Sequence, residues 1–220
     1  MLAVSGSRRQ KAHDRMHDRL ARAAREYAAL GWPCNLGAFA PERGDRACSC
    51  DRLGCPDPGA HPMSAAWGLQ SSDDAGVLDG WWRKWPQANI ILPTGRVFDV
   101  FDVPAEAGAL ALRRIDADAL AAGPVAAVGD ERYLFFVATR GAPDDEDEWW
   151  SCHLDCSPET VTETPGMRWH CRDSYVVAPP SVLPHGREVV WIRPPDGSPL
   201  PDPLRLLEPL SDSCEATGAR

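Results

Sequence analysis

Three thiols and an imidazole crowd into fourteen residues, Cys48-Ser-Cys50-Asp-Arg-Leu-Gly-Cys55-Pro-Asp-Pro-Gly-Ala-His61. They lie in a stretch, 33–66, that is rich in Cys, Pro, Gly and Asp and has almost no hydrophobic periodicity. A loop of that length inside a compact domain needs something to hold it. Zinc takes four N/S ligands in a tetrahedron, and a Cys₃His set that leaves no position open marks a structural site. Gly54, Pro56, Pro58 and Gly59 supply the tight turns needed to fold a chain around one small ion. The expectation is a structural Zn²⁺ on Cys48, Cys50, Cys55 and His61. The spacing C-x-C-x₄-C-x₅-H is not a common finger pattern, and the alternative is a set of reduced, unliganded thiols.

The chain has eight cysteines, and its first residues, Met1–Lys11, are basic without an apolar run. That combination points to a cytoplasmic chain with metal-bound or buried thiols, and away from a disulfide framework. No apolar run approaches the roughly 20 residues that span a bilayer, so no membrane partner is expected. A second set, Cys152, Cys156, His170 and Cys171, reads equally as another metal site or as buried thiols. An unrelated metal enzyme built on that set is a minor alternative. Cys34 and Cys214 stand alone.

Formal charge is −9 at pH 7, which weighs against a surface that coats nucleic acid non-specifically. The charge is uneven: residues 1–30 hold seven basic side chains against three acidic ones. The apolar stripe Met16, Leu20, Ala23, Ala24, Tyr27 and Leu30 predicts a first helix with a basic outer face, stopped by Gly31 and Pro33. A second helix is expected over Asp73–Trp85, burying Val77, Trp81, Trp82 and Trp85. Short runs rich in Val, Ile, Phe and Tyr predict strands at Ala88–Leu92, Val97–Val103, Pro124–Val128, Tyr133–Thr139, Tyr175–Ala178 and Glu188–Ile192. A helix from Pro104 to Leu120 separates the second from the third. The run Asp144–Glu148 reads as an exposed acidic loop, and the polar residues 211–220 as a frayed tail. Helices lie early and strands late, so the fold class is α+β with a mainly antiparallel sheet. The expected organisation is a basic extension over 1–20 and one domain over 21–210.

Five blocks in fixed order suggest a family. They are Gly31-Trp32-Pro33; Pro58-Gly59-Ala60-His61-Pro62; Trp81-Trp82-Arg83-Lys84-Trp85-Pro86-Gln87-Ala88-Asn89-Ile90 with Pro93-Thr94-Gly95; Phe98-Asp99-Val100-Phe101-Asp102-Val103-Pro104; and Ser174-Tyr175-Val176-Val177-Ala178-Pro179-Pro180-Ser181. Together they resemble the N-terminal domain of bifunctional DNA primase/polymerases, a branch of the archaeo-eukaryotic primase superfamily, over about Ala21 to Trp191. The resemblance implies an RRM-like sheet with flanking helices and the Cys-rich segment as a zinc-knuckle-like insertion. It also implies a polymerase site in which acidic residues hold two Mg²⁺ or Mn²⁺ ions, with DNA template and nucleotides as partners. Two such ions clamp the entering and leaving oxygens and keep several waters each, so few carboxylates suffice.

Carried over by residue, the implied metal carboxylates are Asp99, Asp102 and Asp173, with Glu106 as a further candidate. Thr94, Gly95 and Arg132 are the implied nucleotide contacts. The chain departs from the family pattern at three places. The family has a second acid two residues after its first; after Asp102 that position is Pro104. Asp99 and Asp102 are three apart, which on a regular strand points them to opposite faces unless a bulge reunites them. Where the family has a His before an apolar strand, this chain reads Arg132-Tyr133-Leu134-Phe135-Phe136. Just before the Tyr175 strand, where the third acid belongs, it reads Arg168, Trp169, His170 and Asp173. Two readings follow: a DNA primase/polymerase-like domain that binds nucleotide or DNA in replication, with template-directed nucleotidyl transfer open; or a catalytically inactive, zinc-stapled interaction or regulatory module on the same scaffold. No P-loop motif G-x-x-x-x-G-K-[ST] is present, so a separate helicase or replication protein is the expected partner for unwinding.

Overall fold

The computed structural model describes residues 18–41, 47–50, 52–139 and 166–218. These fall into two compact units, one of Met1–Leu92 with Val177–Gly186 and one of Pro93–Val176 with Arg187–Arg220.

In the first unit, helix α1 covers 18–29 and buries Leu20, Ala24 and Tyr27, the middle of the predicted stripe. The Tyr27 hydroxyl donates to the carbonyl of Pro179 at 2.6 Å. Strand β1 (Asn35–Gly37) pairs antiparallel with β2 (Asn89–Pro93), and β7 (Tyr175–Ala178) flanks β2 on its other side. A one-turn helix, α2 (Trp67–Gln70), precedes α3 (Ala75–Lys84). Asp74 caps α3 by accepting from the Val77 amide at 2.9 Å, and Pro86 follows its end. The buried stripe of α3 differs from the expected one. Leu78 and Trp82 are buried, whereas Val77 and Trp85 are exposed. Trp82 anchors the helix end by donating its indole N–H to the Ala88 carbonyl at 2.9 Å.

The second unit carries an antiparallel sheet in the order β6–β3–β5–β4–β9, which are Arg168–His170, Phe98–Pro104, Arg132–Ala138, Val125–Val128 and Arg187–Arg193. The two-residue strand β8 (Val182–Leu183) falls just before a 3₁₀ turn at Pro184–Gly186. Helix α4 (Ala105–Ala117) follows β3 directly, and α5 (Pro203–Ala216) closes the chain. One sheet face supplies Phe101, Val103, Val125, Phe135, Val137 and Trp169 to a core shared with α4 and α5. The other face stacks Phe98, Phe136 and Trp191, with successive ring centroids 5.2 Å apart.

The expected frayed tail is a correction. Residues 203–216 form α5, and Leu206, Leu210, Ser213 and Cys214 are buried along its inner face. Asp202 caps it by accepting from the Leu204 amide at 3.0 Å, and Pro203 occupies the first turn, where no backbone hydrogen bond is lost. The acidic run 144–148 lies outside the described residues, as do the basic residues 1–17 that include Met16.

Candidate functional site

The site of interest is built on β3. Register places Asp102 opposite Leu134 of β5 and Arg168 of β6, and Val100 opposite His170. Because strand side chains alternate, Asp102 shares its face with Arg132, Arg168 and His170, while Asp99 shares the helix-covered face with Phe101 and Val103. No bulge is recorded between Asp99 and Asp102 in the β3–β5 register, so the two carboxylates stay on opposite sides.

Asp102 is buried and holds a dense set of cations. The Arg132 Nε donates to its Oδ1 at 2.6 Å, and another Arg132 nitrogen donates to the Asp102 backbone carbonyl at 2.9 Å and to the Gly166 carbonyl at 3.0 Å. His170 Nε2 lies 3.4 Å from Oδ2, and an Arg168 nitrogen lies 3.6 Å from it. His170 Nδ1 is 3.0 Å from the hydroxyl of the fully buried Ser174. Since a carboxylate only accepts, the His170 hydrogen facing Asp102 sits on Nε2. Burial pushes the Asp102 carboxyl upward, but the His170 hydrogen bond and the Arg132 charge outweigh it and hold the group below the ordinary value of 3.8.

The remaining implied carboxylates are elsewhere. Glu106 is exposed in the first turn of α4, and Asp173 is exposed in a turn at φ 60°. A two-metal site needs carboxylates converging on ions held at about 2.0–2.1 Å for Mg²⁺. Here Asp99 and Asp102 diverge, and both Asp102 oxygens face side-chain cations. The residues present therefore do not fit a catalytic pair of Mg²⁺ or Mn²⁺ ions.

Thr94 and Gly95 are used within the fold. The buried Thr94 hydroxyl donates to the Cys171 carbonyl at 2.6 Å, and its amide donates to the Ser174 carbonyl at 2.9 Å. The Gly95 amide donates to Phe98 at 2.8 Å, so both backbone donors are committed. Gly95 has φ +80°, and a Cβ there would lie 2.3 Å from the Arg172 Cα, so only glycine fits. This latch ties the start of β3 to the turn after β6. Of the three implied nucleotide contacts, only Arg132 joins the Asp102 cluster.

Cys48, Cys50, Cys55 and His61 come together in the first unit. One ligand atom from each lies within 4.8 Å of all the others. Tetrahedral Zn–S bonds of about 2.3 Å put ligand atoms roughly 3.8 Å apart, so this gathering needs only a small contraction to close on an ion. The Cys48 Sγ already lies 3.4 Å from His61 Nε2. His61 Nδ1 lies 2.8 Å from the Pro62 carbonyl, which must accept, so Nδ1 carries the hydrogen and Nε2 is left as the ligand nitrogen. Burial raises the Cys50 thiol, but hydrogen bonds from the Arg52 backbone and the neighbouring thiols prevail and bring it to about 7. Burial pushes the Cys55 thiol up to about 12, with the Cys50 and Cys48 thiols adding to the rise. The set could hold a metal ion. Of the weaker set, Cys152 and Cys156 lie outside the described residues, and His170 is engaged with Asp102.

Comparison with protein families matches residues 24–204 to the family described as bifunctional DNA primase/polymerase, N-terminal. The chain belongs to this family. No curated protein matches it. The primase/polymerase-domain match runs from α1 to the start of α5 and so takes in both the Cys₃His set and the Asp102 cluster. Among the described residues, no helix is long and apolar enough to cross a membrane.

Sequence reasoning placed Asp102 and Arg132 among the site residues without foreseeing that they pair with each other. It noted Arg168 only as an occupant of a position where an acid belongs, and His170 as that and as a member of the weaker Cys/His set. The signal that could have found the cluster was the arrival of basic side chains at two acid- or His-type positions on strands flanking β3.

Proposed function

We propose that this chain is a DNA primase/polymerase-fold domain that binds nucleotide or DNA in replication and does not itself carry out nucleotidyl transfer. The observation that carries this reading is the pairing of Asp102 with Arg132, Arg168 and His170. Charge neutralisation by metal ions is the main contribution of a phosphoryl-transfer site, and a carboxylate committed to two guanidiniums does not offer it. An antiparallel sheet with helices on one face supports the RRM-like reading of the second unit. Residues 21–210 act as one functional domain, and the Cys₃His set holds a structural Zn²⁺ that staples the irregular segment. Unwinding comes from a separate helicase or replication protein, in the cytoplasm.

Primer-extension and de novo priming assays with Mg²⁺ and with Mn²⁺, on the wild type and Asp102→Ala, test the absence of transfer. Equal background from both proteins is expected. Template-dependent extension by the wild type that disappears in Asp102→Ala overturns the reading.

A further inference from the structure

We infer that the Arg132–Arg168–His170 cluster over Asp102 is a phosphate-binding site that works without a divalent cation. The inference rests on the nucleotide- or DNA-binding reading above and names the group that does the binding. Among the contacts shown by the described residues, Asp102 supplies the negative charge of this cluster, and two guanidiniums face it. Arg132 is fixed by three contacts to Asp102 and Gly166. Arg168 is not. Among the described residues its one charged contact is the 3.6 Å approach to Asp102, too long for a good hydrogen bond, and its Nε is buried with no hydrogen-bond partner. Its side chain as a whole is 30 % exposed. An arginine with donors to spare, held beside a second arginine, matches the fork geometry of a phosphate.

The same arrangement opposes a metal. A divalent cation at Asp102 would have to displace the 2.6 Å Arg132 contact and would sit within a few ångströms of two positive guanidiniums. The cationic side chains thus take the place that a metal would hold beside a carboxylate, and a phosphate arriving there meets arginine directly. Asp102 becomes a positioning residue that aims Arg132 and His170. The phosphate could belong to a free nucleotide or to a nucleic-acid backbone, and the two sources are separable.

Titration calorimetry with inorganic tripolyphosphate and with dGTP, and anisotropy with a labelled single-stranded oligonucleotide, are run in EDTA and in Mg²⁺. Binding of at least one probe is expected to persist in EDTA, and Arg168→Ala is expected to weaken it at least tenfold, with Arg168→Lys recovering part of the loss. Circular dichroism of Arg168→Ala, expected to match the wild type because this side chain is partly exposed, separates lost binding from lost folding. Tripolyphosphate and dGTP binding together indicate a nucleotide; oligonucleotide binding alone indicates the backbone. Binding that requires Mg²⁺, or that Arg168→Ala leaves unchanged, overturns the inference while leaving the binding function standing. No binding of any probe in either buffer overturns both.

Discussion

At the scale of single residues, Asp102 is where electrostatics decides what the chain can do. The hydrogen bond from His170 and the Arg132 charge keep its carboxyl below 3.8, against the upward push of burial, so it binds a proton less readily folded than unfolded. The stability this confers is complete above the unfolded value and is lost as pH falls through the lower folded value. Urea unfolding of wild type and Asp102→Asn between pH 7 and pH 3 is expected to show the wild type losing stability more steeply over the acid end. Parallel profiles would show that the pairing contributes nothing. At pH 7, Arg132→Ala leaves a buried carboxylate without its closest partner and should cost about 3–5 kcal/mol in the same assay. None of this was legible in the chain. Asp102 was identifiable as a site residue, but its partners sit 30 positions away at Arg132 and 68 away at His170, and only strand register brings them to it.

At the scale of elements, periodicity carried the strands and α4. Their predicted bounds agree with the observed ones to within a few residues because the apolar runs coincide with near-continuous burial. Two of the elements that escaped show the physical reasons. Strand β6 is three residues long and mixes Arg, Trp and His, so it has no pattern to detect. Helix α5 contains Pro209 and a Ser/Asp-rich second half, which reads as a tail until the core shows that Leu210, Ser213 and Cys214 face inward. Packing can also reverse a local preference. In most helices Gly→Ala stabilises by roughly 1 kcal/mol. At Gly108 of α4, however, a Cβ would lie 2.7 Å from the Cβ of Tyr133 on β5, an atom too close to the backbone to swing aside. Overpacking of that kind costs about 1–3 kcal/mol, so Gly108→Ala is expected to lower the thermal midpoint. A raised midpoint would mean that α4 can move away from the sheet.

For the whole molecule, the Cys₃His grouping was the most legible site, because short turns and ligand spacing are local properties. Purified protein should contain about one zinc per chain, and a Cys48→Ser/Cys50→Ser double variant none. Stripping the metal with a chelator should loosen the irregular first-unit segment, seen as faster proteolysis within it. Protein purified without zinc would remove the staple from the account. The family membership was legible as well, since the five ordered blocks lie within the matched span 24–204. What the blocks did not reveal was the local rewiring of the site, since a match over many residues is insensitive to a few side chains changing sign.

The arginine that pairs with Asp102 has a second consequence. By also holding the Gly166 carbonyl, Arg132 spans from β5, across β3, to the residues entering β6, the short outermost strand on that side of the sheet among the described residues. Three residues of ladder pairing are little to keep a border strand in place. Were it to lift away, β3 would present a bare row of amides and carbonyls along an apolar segment, an invitation to pairing with another copy of the chain. Arg132 thus acts as a rivet on that border, and Arg132→Ala is expected to self-associate more readily than the wild type.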